Sequence, residues 1–177
     1  MNKTKLDSTS EQNILNMLMD NSIITSDQMS KINLTSNEIG KSKLETAFEL
    51  NLTNENQILK ILSSNYSLPI IDLQKYKIDQ KIKKIIDTRY IVDHSLVPFE
   101  ISDETLKIAI ADGSKLSLMK NLKTMTKMEP ELYAASISNI NEFIERLTKT
   151  DGKKTSEHNV KIEKIEKQKT KAAYKQY

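Results

Sequence analysis

The feature that most constrains the fold is an internal repeat of 29 residues near the N-terminus. Shifting the chain by 29 positions superposes residues of the same class, and the aligned pairs are Leu15 and Leu44, Leu18 and Ala47, Met19 and Phe48, Asp20 and Glu49, Gln28 and Gln57, Met29 and Ile58, Lys31 and Lys60, and Ile32 and Ile61. Each copy predicts a helix, a tight connection and a second helix. Two copies are too few for a solenoid, which needs about three repeats to bury a continuous core. We therefore expect them to pack on each other as one helical lobe over residues 11–67.

Capping signals mark the start of the second helix in each copy. Thr25 stands three residues before Gln28, the spacing of a capping box, and Asn54 with Gln57 repeats the pattern. Pro69 ends the lobe, because a proline cannot continue a helix and pushes the residue before it towards extended geometry.

A different pattern follows over residues 68–149. Short apolar or alternating runs predict strands at 69–73, 96–101, 105–110 and 131–135, with Ser102, Asp103 and Glu104 forming a hairpin turn. Helices are predicted at 79–86, after Asp112, and near the C-terminal end of the region. Three-residue steps mark the helix that Asp112 caps, at Leu116, Met119, Leu122 and Met125, and the last helix carries the apolar stripe Ile140, Phe143, Ile144 and Leu147. The fold class is thus α+β, a helical lobe followed by a small α/β lobe with three or four strands.

The region after residue 149 is lysine-rich. Residues 151–177 hold eight lysines against four acidic residues, a net charge of +4, whereas the whole chain carries +3. Because apolar positions nearly vanish there, the segment cannot bury enough surface to offset its ordering entropy. We expect residues 150–177 to be a disordered or partly helical linker or tail. No basic patch with interleaved aromatic residues, the pattern of a nucleic-acid interface, is visible before it.

The composition restricts where the protein can be located and which kinds of site it can contain. The chain has no Cys and no Trp, which excludes a disulfide framework, a thiol nucleophile and a cysteine metal site. The residues after Met1 are polar, and no apolar run approaches the length that spans a bilayer. We expect a cytoplasmic protein.

The remaining candidate motifs, a partial phosphate-binding loop and two histidines, do not indicate a nucleotide or metal site. Gly40-Lys41-Ser42 matches only the second half of a phosphate-binding loop, since Thr35 stands where the first glycine belongs, so it is interpreted as a turn between helices. His94 and His158 are the only imidazoles, and neither has neighbouring ligands at metal spacing. His94 is interpreted as a loop or half-buried residue before a strand.

Other polar and apolar candidates have structural interpretations as well. The adjacent carboxylates Asp103 and Glu104 suit a solvated turn, and the helical methionines Met17, Met19, Met119, Met125 and Met128 suit core positions. The only arginines are Arg89 and Arg146, too few for a phosphate-rich ligand. We therefore expect no catalytic, cofactor-binding or metal-binding residue, no cofactor and no enzymatic activity.

Five fragments in order resemble the N-terminal domain of the type II secretion and type IV pilus assembly ATPases. The resemblance covers about residues 11–147, and the fragments are 20–25 (DNSIIT), 68–73 (LPIIDL), 96–99 (LVPF), 106–112 (LKIAIAD) and 135–136 (AS). It implies a non-catalytic adaptor that links a hexameric motor to inner-membrane components. The motor domain of that family, with its nucleotide-binding motifs, has no counterpart in this sequence.

Two departures from the family pattern concern ligand binding. A subset of the family binds cyclic di-GMP through the two repeats, with Arg-Leu-Gly at the start of each repeat and a glycine in the middle. Here residues 13–15 read NIL and residues 42–44 read SKL, with Ser22 and Asn51 at the glycine positions. The arginines and glycines are absent, so no ligand residue is carried over. The family's usual Ala-Asp-Pro is Ala-Asp-Gly here, ending at Gly113.

The resemblance implies a partner and leaves alternatives open. Expected partners are the motor ATPase domain or an inner-membrane platform protein, with cytoplasmic location and peripheral association at the inner membrane through a protein partner as an option. No clear nucleic-acid partner is expected. The alternatives are a degenerate cyclic di-GMP sensor and a lysine tail that binds nucleic acid or anionic membrane.

Overall fold

Four helices form the N-terminal part of the protein. The structure is a computed structural model that describes residues 6–149, so the predicted tail at 150–177, including His158, lies outside the described residues. The four helices, which we call the helical lobe, are α1 (Ser8–Asp20), α2 (Ser26–Ile39), α3 (Lys43–Glu49) and α4 (Glu55–Tyr66).

The turn after the first helix has the same backbone conformation and the same hydrogen bond in both copies of the repeat. Ser22 N donates to Met19 O at 2.9 Å, and Asn51 N, 29 positions later, donates to Phe48 O at 3.0 Å. Ser22 and Asn51 both adopt the left-handed backbone conformation, with φ of 57° and 54°, which is uncommon for residues other than glycine. The repeat read from the sequence is therefore confirmed as a repeat of backbone geometry.

The predicted caps are present, with one difference. Gln28 N donates to Thr25 Oγ1 at 3.2 Å while Thr25 N donates to Gln28 Oε1 at 2.9 Å, a complete capping box. In the second copy Gln57 N donates to Asn54 Oδ1 at 3.0 Å, but the return bond comes from the Asn54 side-chain amide. Asparagine can supply that donor itself, so the backbone need not.

The second helices of the two copies bury different faces. Ile32 of α2 is fully buried, but its equivalent Ile61 of α4 is only half-buried, and Leu62 takes the core position instead. The reason lies in their neighbours: α2 packs against α3, whereas α4 packs against α1 and the sheet.

The rest of the described chain, which we call the mixed lobe, combines a sheet with helices. Its strands are β1 (Leu96–Ser102), β2 (Thr105–Ile110) and β3 (Glu129–Ala134). Its helices are α5 (Gln80–Ile85), α6 (Thr88–His94), α7 (Met119–Thr126) and α8 (137–149), with 3-10 turns at Leu73–Lys75 and Gly113–Leu118. The α+β fold class is confirmed.

The three strands lie in the order β1-β2-β3. β1 and β2 form the predicted hairpin, in which Ser102 pairs with Thr105 and Asp103 adopts a left-handed φ of 52°. The register shifts between Pro98 and Glu100, at a proline that has no N–H for the ladder. β2 and β3 are parallel and joined through α7, a crossover that the alternation of residues did not reveal.

The strand predicted at 69–73 is wrong in extent. Only Ile70 forms a bridge, parallel to Ala134, through bonds from Ile71 N to Ala134 O and from Ala134 N to Pro69 O, both at 2.9 Å. Asp72 then accepts a hydrogen bond from Gln74 N at 3.1 Å and caps a 3-10 turn. The capped turn takes the chain out of extended geometry before a second pair can form.

The helix predicted after Asp112 is split in two. Asp112 caps a 3-10 segment, and the α-helix starts only at Met119. Three-residue steps stay on one face of a 3-10 helix but drift by about 60° per step on an α-helix. Leu122 is therefore buried, whereas Met125 is 50% exposed and Leu116 is 37% exposed.

The helix α6 was not predicted. Its Asp87 accepts a hydrogen bond from Arg89 N at 2.7 Å, which caps the first turn, and Ile91 is its one fully buried side chain. Its apolar side chains, at Tyr90, Ile91 and Val92, are consecutive and therefore show no helical period in the sequence. His94 is accordingly the last residue of a helix, half-buried, rather than a loop residue.

One buried apolar cluster runs through both lobes. The predicted stripe of α8 is confirmed, because its four apolar residues are each at most 2% exposed, namely Ile140, Phe143, Ile144 and Leu147. Leu15 and Leu18 of α1 join the same cluster as Leu106 and Ile108 of β2. A lobe boundary at residue 67 stays a prediction. Among residues 6–149, no helix has the length and apolar character needed to traverse a bilayer.

A buried lysine ties the first helix to the start of the 3-10 segment. Lys115 is 5% exposed, and its Nζ lies 3.0 Å from Asp7 Oδ2 and 3.9 Å from Asp112 Oδ2. Asp112 is 2% exposed and accepts a hydrogen bond from Ser114 N through its other oxygen at 2.8 Å. This ion cluster of Asp7, Lys115 and Asp112 joins residues 108 positions apart.

Asp7 is held in its charged form by its neighbours. Partial burial acts to raise the pKa of its carboxyl, but hydrogen bonds from Ser10 N, Lys115 Nζ and Ser10 Oγ outweigh it and lower the pKa from 3.8 to about 2. A depressed carboxyl pKa stabilises the fold above the ordinary pKa. That contribution is lost as the pH falls from 3.8 towards 2.

Removing the lysine charge alone should be costly. We expect Lys115→Met to lower the free energy of unfolding by about 3–5 kcal/mol, because the buried Asp112 carboxylate loses its counter-charge. Chemical denaturation measures the loss.

The matched control is the double variant Asp112→Asn with Lys115→Met. The asparagine keeps the acceptor for Ser114 N and carries no charge, so the double variant should be more stable than Lys115→Met alone. A double variant as unstable as the single one would show that Lys115 acts through its packing rather than its charge.

Candidate binding cleft between the two lobes

A polar cleft of about 360 Å³ opens where α1, the end of α4 and the 3-10 segment meet. From α1 come Asn13, Asn16 and Asp20, which share one face because they are three and four residues apart. Asn65 and Tyr66 supply the second wall, and Asp112, Gly113 and Ser114 the third. The repeat and the mixed lobe thus each contribute to one concave surface.

The side chains that line the cleft are suited to hydrogen bonding. Amides, a phenol and carboxylates can bind backbone or polar side chains of a ligand, and Asp112 Oδ2 is buried without a hydrogen-bond donor. Catalysis by general base or nucleophile needs a reactive group within hydrogen-bond reach of an activating partner. Within residues 6–149 no three His, Asp or Glu side chains converge to hold a metal ion.

Gly113 is required by the tyrosine that lines the cleft. A Cβ at residue 113 would overlap the end of the Tyr66 ring. Proline also carries a Cβ, so the Ala-Asp-Pro pattern of the resembled family and this placement of Tyr66 exclude each other. The absence of a side chain at residue 113 lets the Tyr66 ring pack against the backbone.

At the start of the second repeat, backbone amides donate hydrogen bonds to side chains of the protein. Glu11 Oε1 of α1 accepts a hydrogen bond from Leu44 N at 2.9 Å, and Glu45 N donates to Ser42 Oγ at 3.2 Å. Ser42 N in turn donates to Glu45 Oε2 at 3.2 Å. The backbone amides of Ser42, Leu44 and Glu45 at this helix start therefore already serve protein acceptors.

The phosphate-loop fragment is a turn between two helices. Gly40 ends α2 in the left-handed conformation with φ of 65°, and Ser42 caps α3. Lys41 forms an ion pair with Glu49. The sequence predicted that Gly40-Lys41-Ser42 is a turn between helices, and this is confirmed because the three residues connect α2 to α3.

The other titratable candidates, His94, Asp103 and Glu104, do not line the cleft. His94 stacks on Tyr90 with ring centroids 4.3 Å apart, and burial raises the pKa of Tyr90. Asp103 and Glu104 form the turn of the β1-β2 hairpin. The structure brings neither His94 nor this pair together with the other candidates.

The arginines have different surroundings. Arg146 of α8 donates to the carbonyl oxygens of Leu73 at 3.0 Å and Tyr76 at 3.2 Å, and its guanidinium lies 4.9 Å from the Phe143 ring centre. Arg89 is exposed on α6. Arg146 thus holds the 3-10 turn at Leu73–Lys75 against α8.

The methionines only partly follow the expectation of core positions. Met17 is buried and also lines the cleft, while Met19, Met119 and Met128 are half-buried at the edge of the core. Met125 is exposed, for the rotational reason given above. Sequence reasoning missed the cleft because Asn13, Asn16 and Asp20 are ordinary polar residues of a helix face.

The pairing of Gly113 with Tyr66 is testable by a double-mutant cycle. We expect Gly113→Ala to lower the free energy of unfolding by about 1 kcal/mol, since the ring must move. In a Tyr66→Ala background the same change should be neutral or stabilising, because alanine restricts the unfolded chain. Equal effects in both backgrounds, measured by chemical denaturation, would contradict the packing role of Gly113.

The chain is similar in sequence to part of two type IV pilus assembly ATPases. It is 29% identical over 92 residues to the type IV pilus assembly ATPase PilB of Myxococcus xanthus, covering 52% of this chain and 16% of that protein. It is 19% identical over 123 residues to PilB of Thermus thermophilus, covering 68% of this chain and 14% of that protein. The chain therefore spans a small fraction of the length of these curated relatives.

Two solved structures share the fold. The structure of MshE with cdg has a TM-score of 0.55 and 21% identity, covering 75% of this chain and 96% of that one. The N-terminal domain of XpsE has a TM-score of 0.53 and 19% identity, covering 80% and 98% of the two chains. At this identity the likeness speaks for the fold alone.

A family model decides the assignment. The MshEN domain model matches residues 66–154, half of the chain, and this range includes Tyr66 and the Asp112 to Ser114 wall of the cleft. Together with the shared fold, this match shows that the chain belongs to the MshEN domain family, the N-terminal domain type of the type II secretion and type IV pilus assembly ATPases.

Proposed function

We propose that this domain is a non-catalytic adaptor of a type II secretion or type IV pilus assembly system. It docks onto the motor ATPase domain or an inner-membrane platform protein, on the cytoplasmic side. The observation that carries the proposal is the family match together with the likeness to the separately folded N-terminal domain of XpsE. In such a system the domain would contribute binding, and the ATPase domain would contribute the chemistry.

The cleft is the surface we propose for docking. It is concave, it joins two lobes, and its polar groups converge from three elements, which is typical of a binding site. Asn16 and Asp20 are exposed on its rim, so they are available to a partner's backbone or basic side chains. The ion cluster beneath fixes the distance between its α1 wall and its 3-10 wall.

Affinity measurements against partner fragments test both parts of the proposal. Wild-type protein should retain the motor domain or a cytoplasmic platform segment in a pull-down. The variant Asn16→Arg with Asp20→Arg places two long, positively charged side chains at the mouth of the cleft and should weaken retention by at least about tenfold, because they obstruct a partner and reverse the charge of Asp20.

The matched control is Asn56→Arg with Glu38→Arg, which makes equivalent changes at exposed positions away from the cleft. It should bind as the wild type does. Equal behaviour of the two variants would move the docking surface elsewhere, and no association with any fragment would remove the adaptor assignment.

Cyclic di-GMP binding is the second candidate function. It is favoured by the retained repeat and by the likeness to MshE, whose structure was solved with cdg, which we read as this nucleotide. Against it stand Asn13 and Ser42 at the arginine positions and the Glu11 carboxylate on Leu44 N. A carboxylate at that amide repels phosphate.

Calorimetry separates the two candidates. We expect no heat of binding on titration of cyclic di-GMP into the protein at high micromolar concentration, with MshE as the positive control. The physical reason is that no arginine is present to bind guanine or phosphate at the repeats. Saturable binding would overturn this expectation and establish the regulatory function. Binding of nucleic acid or membrane by residues 150–177 stays a prediction.

A further inference from the structure

Three exposed lysines belong to α5 or to the residues just before it. They are Lys77, Lys81 and Lys84, which we call the lysine surface. Lys81 and Lys84 are neighbours on the helix because they are three residues apart, while Ile82 turns into the core. None of the three lies within 4.0 Å of a carboxylate oxygen among residues 6–149.

The acidic residues near the lysine surface are engaged in helix starts and ion pairs. Asp79 accepts a hydrogen bond from Lys81 N at 2.8 Å and caps α5, and Asp87 caps α6 in the same way. Asp72 lies 3.7 Å from Lys75, and Glu145 lies 2.7 Å from Lys149. The lysine side chains therefore present positive charge outward.

One lysine of α5 is hydrogen-bonded to the C-terminal part of α8. Lys83, between Lys81 and Lys84, donates from Nζ to Leu147 O of α8 at 3.1 Å. The chain continues past residue 149 into the segment that carries a net charge of +4.

We propose that the lysine surface binds directly to an anionic lipid bilayer. A cluster of lysines on a short helix is attracted to a negative headgroup layer without needing a shaped pocket. Lysine is a compact point charge, which suits a layer of headgroups, whereas phosphate recognition in nucleic acids favours arginine and exposed aromatic rings. Here Arg146 binds carbonyl oxygens, and Tyr76 packs edge-on against Phe99 at 4.8 Å.

In the proposed function, the domain binds a protein partner through the cleft. The lysine surface would give the same domain a second face, which binds lipid. It involves α5, whereas the proposed docking cleft involves α1, α4 and the 3-10 segment. The two interactions can therefore be broken separately.

Vesicle sedimentation with the full chain tests this inference. The wild type should bind vesicles made of equal parts phosphatidylglycerol and phosphatidylcholine, and should not bind phosphatidylcholine alone. The triple variant Lys77→Gln, Lys81→Gln and Lys84→Gln should lower the partition coefficient by about 100-fold at low salt, roughly fivefold for each lysine. The tail is unchanged in this variant.

The matched control neutralises three exposed lysines elsewhere, Lys31, Lys60 and Lys120. It has the same net charge and should keep nearly wild-type binding. The inference is overturned if the two triple variants lose binding equally, if the Lys77, Lys81 and Lys84 variant binds like the wild type, or if the protein binds duplex DNA but not the anionic vesicles. The pull-down described under the proposed function measures binding of a protein partner, so its result does not depend on any of these three outcomes.

Discussion

The burial of Lys115 between Asp7 and Asp112 constrains how the start of α1 and the 3-10 segment can lie against each other. A buried charge is tolerated only with a counter-charge close by, so the 3-10 segment must stay next to the start of α1. Asp112 uses one oxygen to cap that segment and the other to face the lysine. One carboxylate therefore both starts the turn and joins the lobes.

The cleft follows from this constraint. With the start of α1 and the 3-10 segment held together, the polar face of α1 lies opposite Gly113 and Ser114, and the end of α4 closes the third side with Tyr66. The absence of a Cβ at Gly113 lets the tyrosine ring lie against the backbone.

Local signals predicted the local structure well. The caps at Thr25 and Asn54, the β1-β2 hairpin and the stripe of α8 were all readable, because each depends on residues close together in the chain. The predictions failed where distant contacts intervened. The segment after Pro69 meets only the end of β3, the helix after Asp112 begins as a 3-10 turn, and α6 has one buried residue to mark it.

By itself, the sequence determined the repeat, the α+β class and the resemblance to the assembly ATPase N-terminal domains, since periodicity and capping are properties of neighbouring residues. Only the tertiary structure decided that β3 runs parallel to β2, that Glu11 reaches Leu44 N and that Asp7 meets Lys115. Glu11 and Leu44 are 33 positions apart in the chain, and Asp7 and Lys115 are 108 positions apart. No local pattern encodes such pairs, because their energy comes from burial that exists only once the lobes have packed.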